Sequence, residues 1–249
     1  MKSDKELFRP DGKRLDGRTE TELRPLKITA GVLKRADGSA MIEWGRNKVI
    51  AGVYGPREVF PKFMTDPYKA IITARYIMAP FSSQEEHGRS GPNRRSQEIS
   101  KVAKHVFENL VLTHLFPKTM IEVHMEVIQS DGGTRVAAIT AAAVALADAG
   151  IPLRDLACGV SVGKANGKLI LDLDKTEDNF GESDIPHVIS PRTGEILLYQ
   201  LDGMLTKEEI SKAYDMVLEA SKQIREKQAA ALREKYESAL ETAENGDVQ

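Results

Sequence analysis

The chain changes period abruptly between residues 120 and 147, and that junction limits the available folds more than any other segment. Residues 120–128 set Ile121, Val123, Met125 and Val127 against Glu122, His124 and Glu126, the period of a half-buried strand. Residues 136–147 are apolar and mostly alanine, a helix that lets its neighbours approach closely. The run falls well short of the roughly 20 residues needed to cross a bilayer. Ser130-Asp131-Gly132-Gly133-Thr134-Arg135 joins the two. Consecutive glycines let the backbone curl, the first helical N–H groups lack partners, and the helix dipole is positive there, with the Thr134 hydroxyl and the Arg135 guanidinium beside it. That describes a small-phosphate cradle, although an ordinary turn and N-cap fits the same pattern. The glycine spacing matches neither a Walker A loop nor a dinucleotide fingerprint.

The remaining chain supplies more strands. Residues 26–29, 32–35, 40–44 and 49–54 read as an antiparallel meander, and residues 71–78 as a further strand. Pro92 suits a first helical turn, after which Ile99, Val102, Val106, Phe107, Leu110 and Val111 predict an amphipathic helix to about residue 114. Asn166-Gly167 predicts a type I′ hairpin between 158–164 and 168–173. Residues 185–190 and 195–201 pair next, and a long helix starts at Thr206 with Glu209 completing a capping box. The expectation is an α+β fold of mixed β-sheets packed with α-helices: a polar extended arm over 1–24, one domain over 25–240 and a frayed tail over 241–249.

With 35 Lys+Arg against 37 Asp+Glu, the net charge of −2 does not mark a nucleic-acid binder, but the charge is unevenly placed. Arg89, Arg94, Arg95, Lys101 and Lys104 share one stretch with a single acid, Glu98. Arg94 and Arg95 in a first helical turn oppose the dipole, which points to a visiting anion such as an RNA or DNA backbone; a solvated basic face is the alternative. Asp172, Asp174, Glu177, Asp178, Glu182 and Asp184 crowd a second stretch around one base, Lys175. Mg²⁺ is the natural compensator for such crowding, a solvated acidic loop the alternative. Cradle, paired arginines and carboxylates together are the parts of phosphoryl transfer. Ser82-Ser83 lacks a nucleophile elbow, and His105, His114, His124 and His187 lack zinc spacing. Trp44 reads as core. The single Cys158, with no secretory signal visible, suggests a reducing compartment, the cytoplasm.

On these residues the chain resembles the RNase PH family, and within it the active ring subunits of the archaeal RNA exosome. The resemblance rests on Leu15-Asp16-Gly17-Arg18, Arg75-Tyr76 and Pro80-Phe81 ahead of Arg94-Arg95, Gly133-Thr134-Arg135, residues 147–152, and Glu177-Asp178 followed by Asp184. It implies a ribosomal-protein-S5-domain-2-like fold and a 3′→5′ exoribonuclease that takes inorganic phosphate as co-substrate and releases nucleoside 5′-diphosphates. In that reading the Gly133 and Thr134 N–H groups, with Arg135, hold phosphate, and Arg94 and Arg95 grip the terminal phosphodiesters. Asp178 would be general acid or metal-assisting carboxylate, and Asp184 a Mg²⁺ ligand. The resemblance also implies a heterohexameric ring, a trimer of dimers with a paralogous inactive subunit, capped by S1- or KH-domain RNA-binding proteins and with no membrane partner. The basic loop over residues 55–69, with Arg57, Lys62 and Lys69, would contact RNA in the pore through its backbone. A homohexameric RNase PH trimming tRNA 3′ ends and a non-catalytic RNA-binding ring subunit are the rivals. Co-purification of a paralogue separates the first, and retained Arg135 and Asp178 count against the second.

Overall fold

The computed structural model describes residues 6–83 and 93–246, of which 238, 239 and 241–246 are described by backbone alone. Strands β1 (Leu26–Ala30), β2 (Gly38–Trp44), β3 (Asn47–Glu58), β4 (Ile71–Met78) and β5 (Thr119–Gln129) form one sheet in the order β1-β2-β3-β5-β4. Only the β4–β5 pair is parallel. Strands β6 (Cys158–Ala165), β7 (Lys168–Leu171), β8 (Ser183–Ile189), β9 (Ile196–Tyr199) and β10 (Asp202–Gly203) form a second, antiparallel sheet in which β8 is the hub, pairing with β6, β9 and β10. The helices are α1 (Arg94–Leu110), α2 (Thr134–Asp148), α3 (Lys175–Phe180) and α4 (Lys207–Gly246). None is long and apolar enough to cross a membrane, among the described residues.

Helix α2 ties the sheets together. Every residue in it except Arg135 and Ala147 is buried, because it packs on β2, β3 and β5 and also on β6 and β8. Small side chains make that double contact feasible. A Cβ added at Gly38 of β2 would lie 2.3 Å from the Ala145 carbonyl oxygen, and one at Gly159 of β6 2.8 Å from that of Val136. Strand backbone from both sheets thus touches the helix directly. The hairpin turn has the expected chemistry, with Asn166 and Gly167 at φ 46° and 79°. The α4 box also forms, Thr206 N–H donating to Glu209 Oε2 at 2.8 Å and Glu209 N–H to Thr206 Oγ1 at 3.2 Å.

Several expectations are corrected. Residues 32–35 form no strand; Gly31 N–H bonds the Ser39 carbonyl at 2.7 Å, closing the β1–β2 connection around them. Helix α1 stops at Leu110, short of residue 114, because Val111 turns extended and bridges Leu153. It is capped by Asn93, which accepts from Ser96 N–H at 2.7 Å while Ser96 Oγ accepts from Asn93 N–H at 2.9 Å. Arg89, Ser90, Gly91 and Pro92 lie outside the described residues. Strand β3 continues to Glu58, so Arg57 is on a strand rather than in the loop. Residues 241–246 are helical rather than frayed. Residues 6–24 of the arm are laid on the fold well before residue 23: Leu7 packs with Ala165, Ile170 and Leu173, the Glu20 carbonyl accepts from Leu171 N–H at 2.8 Å, and Arg14, Arg18 and Arg24 are buried.

Candidate active site

At the end of β5 the chain turns through Gly132 and Gly133, both left-handed at φ 71° and 66°, and enters α2. A Cβ at Gly132 would sit 2.6 Å from the Asp174 carbonyl carbon, so the turn lies directly against the start of α3. Its outer edge is pinned. Asn47 accepts from Asp131 N–H at 2.6 Å and donates to the Gly132 carbonyl at 2.6 Å, while Arg24 donates to the carbonyls of Asp131 and Gly132. The Tyr76 hydroxyl, buried and so shifted to higher pKa, donates to Thr134 Oγ1 at 2.9 Å. That bond leaves the Thr134 proton to be donated elsewhere.

Two of the six carboxylates of the acidic run, Asp172 and Glu177, are compensated by buried arginines rather than by solvent. Asp172 is buried and accepts from Arg24 Nη2 at 2.6 Å, Arg24 N at 2.7 Å and Trp44 Nε1 at 2.9 Å. Burial works to raise its pKa, but Arg24, with Arg18 behind it, holds the carboxyl below the usual range. Glu177 is buried against Arg14, whose Nε donates to Oε1 at 2.7 Å and whose other nitrogens bond the Leu171 and Asp172 carbonyls. Asp174 caps α3 through the N–H groups of Thr176 and Glu177, at 2.8 and 2.9 Å. Glu182 accepts from Gly167 N–H at 2.6 Å. Asp178 and Asp184 both face one cleft.

That cleft, about 440 Å³, is lined by Arg95, Arg135, Asp178 and Asp184, with Gln200 and Asp202 at its side. A smaller cavity of about 90 Å³ adjoins it, walled by Arg95, Ser130, Gly132, Thr134, Lys175 and Asp178. Arg95 and Asp178 belong to both, so the cradle and the carboxylates converge on one place. The Asp184 carboxyl is pushed up to about 7, chiefly by burial and then by the charges of Asp178 and Asp202, against the pull of Arg135 and a hydrogen bond from Ser161. Its Oδ1 is buried without a hydrogen-bond partner among the described residues. A site so loaded takes up a proton or a cation. The donors fit Mg²⁺, which binds through one or two carboxylates and completes its shell with water and substrate oxygens; among the described residues no all-protein cluster of three or more ligating side chains forms.

Of the other residues singled out, Gly133 caps α2 behind the cavity wall, and Arg94 sits beside Arg95 on α1 without lining either space. Arg57, Lys62 and Lys69 are remote. Glu58 pairs with Thr119 at the opposite end of β5 from Gln129, a strand length of about 33 Å. Arg57 is ion-paired with Glu122 and lies 5.5 Å from the Tyr54 ring, and Lys62 pairs with Glu58 at 3.1 Å. Their loop also exposes Phe60, Phe63 and Tyr68, which a reading by charge and proline passed over. Gln200 and Asp202 were likewise missed; only the β8–β10 register, Asp202 opposite Asp184, brings the latter in.

Fold and cleft together define an α+β enzyme whose site is assembled from two sheets around a shared helix. Two family models match the chain, described as the 3′ exoribonuclease family domain 1 over residues 22–152 and domain 2 over residues 155–220. The chain belongs to the RNase PH family of 3′ exoribonucleases. It is 51% identical over 241 residues to the Exosome complex component Rrp41 of Thermococcus kodakarensis, covering 97% of this chain and 96% of that one. The Rrp41 of Thermoplasma volcanium is 53% identical over the same shares. Among solved structures, rice (Oryza sativa) Rrp46 superposes with a TM-score of 0.78 at 29% identity, covering 88% of this chain and 100% of that chain. An Archaeoglobus fulgidus exosome with RNA bound to the active site gives 0.75 at 24% identity, covering 87% and 93%, a likeness of fold.

Proposed function

We propose that the chain is the phosphorolytic subunit of an exosome ring, degrading RNA from its 3′ end with inorganic phosphate. One observation carries this reading: a phosphate-sized cavity beside the α2 cradle opens beside the cleft of Arg135 and Asp184, with Arg95 and Asp178 common to both. Phosphate in the smaller space and the last phosphodiester in the larger would meet between those two residues. An oxygen of the phosphate attacks the terminal phosphorus, the P–O3′ bond breaks, and Asp178 delivers the proton that the departing O3′ requires. The products are a nucleoside 5′-diphosphate and RNA shorter by one residue. Two anions must approach each other, so Arg95 and Arg135 lower the barrier by charge alone. Asp184, with Asp178, would hold Mg²⁺, which supplies further positive charge when bound.

The sequence identity to proteins named Exosome complex component Rrp41 supports assembly with other subunits; the ring would be shared with a paralogous inactive subunit, as a trimer of dimers under S1- or KH-domain caps. The loop around Lys62 and Lys69, a strand length from the cleft, would grip RNA upstream of the cut. A cytoplasmic setting is supported by the lone, buried thiol of Cys158. The test is oligo(A) given to the chain with its ring partner, with and without phosphate. Diphosphates appearing only with phosphate are expected, and monophosphates released without it would reject the reading. Asp178→Ala retaining phosphorolysis would reject the role given to that carboxyl.

A further inference from the structure

We infer that Lys175 is a phosphate-selecting residue, the cation that makes the smaller cavity a seat for orthophosphate; this rests on the phosphorolytic reading above. Lys175 is the one base in the acidic stretch 172–184 and the first residue of α3, ahead of Glu177 and Asp178. A base there opposes the acids that suit a helix start, so helix stability does not explain it. Its position explains more. The Gly132 turn rests on its backbone, since a Cβ at Gly132 would lie 2.8 Å from Lys175 N, and Lys175 is one of the residues lining the cavity, with Arg95, Ser130, Gly132, Thr134 and Asp178.

At about 90 Å³ the space holds several water molecules, and hence a tetrahedral oxyanion. That oxyanion would face Asp178 and an incoming phosphodiester; among the described residues lining the cavity the cations that offset them are Arg95 and Lys175, with Arg135 in the adjoining cleft. Arg95 borders both spaces and serves both anions. Lys175 borders the smaller one alone. Its charge therefore acts more strongly on the attacking phosphate than on the RNA beyond it, and it biases the cavity toward phosphate over water as nucleophile. In the reverse direction the same seat takes the terminal phosphate of a nucleoside diphosphate.

The experiment measures oligo(A) degradation by the assembled enzyme over a range of phosphate concentrations, with wild type, Lys175→Met, Lys175→Arg and Lys175→Glu. Loss of a charge-assisted contact at a half-buried site predicts a KM for phosphate raised about tenfold in Lys175→Met, and more in Lys175→Glu. Lys175→Arg should restore it to within about threefold. RNA affinity and kcat at saturating phosphate should stay near wild type, and the KM for ADP in the tailing direction should rise with that for phosphate. An unchanged KM for phosphate in Lys175→Met overturns the inference. So does a displaced pH profile with KM unchanged, which would assign the lysine to the ionisation of Asp178. A wild-type enzyme that releases no diphosphates fails differently, by removing the phosphorolytic reading itself.

Discussion

Replacing Asp184 by asparagine should stabilise the protein above neutral pH while removing its activity. The folded carboxyl is pushed up to about 7 from an ordinary 3.8, first by burial and then by the charge of Asp178. At 1.36 kcal/mol per unit the charged form costs up to about 4 kcal/mol, and solvent entering the open cleft brings this to about 2 kcal/mol. The direction follows from proton linkage. A carboxyl whose folded pKa lies above its unfolded one binds protons more tightly in the native state, so stability falls as pH rises from about 4 to about 7 and stays lowered beyond. Thermal unfolding of wild type and Asp184→Asn at about pH 4 and about pH 8 reads this out. At the higher pH the variant should melt at least about 4 °C above wild type; at the lower pH the two should nearly coincide. Mg²⁺ should raise the melting temperature of wild type at the higher pH and leave the variant's unchanged. A variant no more stable than wild type at about pH 8 would refute the claim that Asp184 is held under electrostatic load.

The buried arginines give the opposite result. Arg24→Met strips Asp172 of its main cation and frees the Asp131 and Gly132 carbonyls, so urea unfolding should show a loss of about 3–5 kcal/mol. Gly132→Ala combines a left-handed φ with a 2.6 Å contact to Asp174, and should lose about 2 kcal/mol and weaken phosphate binding. Gly167→Ala, with no neighbour within 4 Å, should lose only about 1 kcal/mol and leave phosphate binding intact. Lys62→Ala and Lys69→Ala should weaken RNA binding alike for all sequences, each lowering the slope of log K against log salt by about 0.7 in a filter-binding titration, with the KM for phosphate unmoved.

What was legible in the sequence was local. The alternation of β5, the alanine run of α2, the Asn166-Gly167 turn and the Thr206–Glu209 box each state their structure within a few residues, and each formed. Residues 32–35 misled because strand propensity is satisfied only by a partner, and β1 pairs with β2 past them. The burial of the arm and the arginine partners of the acidic run were hidden for one shared reason. Arg14 and Glu177 are 163 positions apart, so each charge seemed unpaired when read alone. In the site, Thr134, Arg95, Arg135, Asp178 and Asp184 were all named and all line the two adjoining spaces. Gln200 and Asp202 were not, and Lys175 stood only as the base of the acidic stretch, since sheet register and the packing of α3 on the Gly132 turn bring them in.

The buried arginines also bear on why the site holds its shape. Its two halves hang from different sheets, the cradle from β5 and α2, the carboxylates from α3 and β8. Helix α2 joins the sheets through apolar contact, which is strong but non-directional and would tolerate rotation of the Gly132 turn. Arg24 removes that freedom: one planar guanidinium binds the carboxylate of Asp172 on one side and the carbonyls of Asp131 and Gly132 on the other, so the turn is oriented relative to α3. Because carbonyl and N–H of a peptide point opposite ways, fixing the carbonyls on the arginine also fixes the directions of the Gly132 and Gly133 amides. A well-packed apolar substitute could match the pair in stability, since burying two ions costs much of what their attraction returns. It could not orient the turn, and orientation is what a cradle that must meet Asp178 across a domain boundary requires.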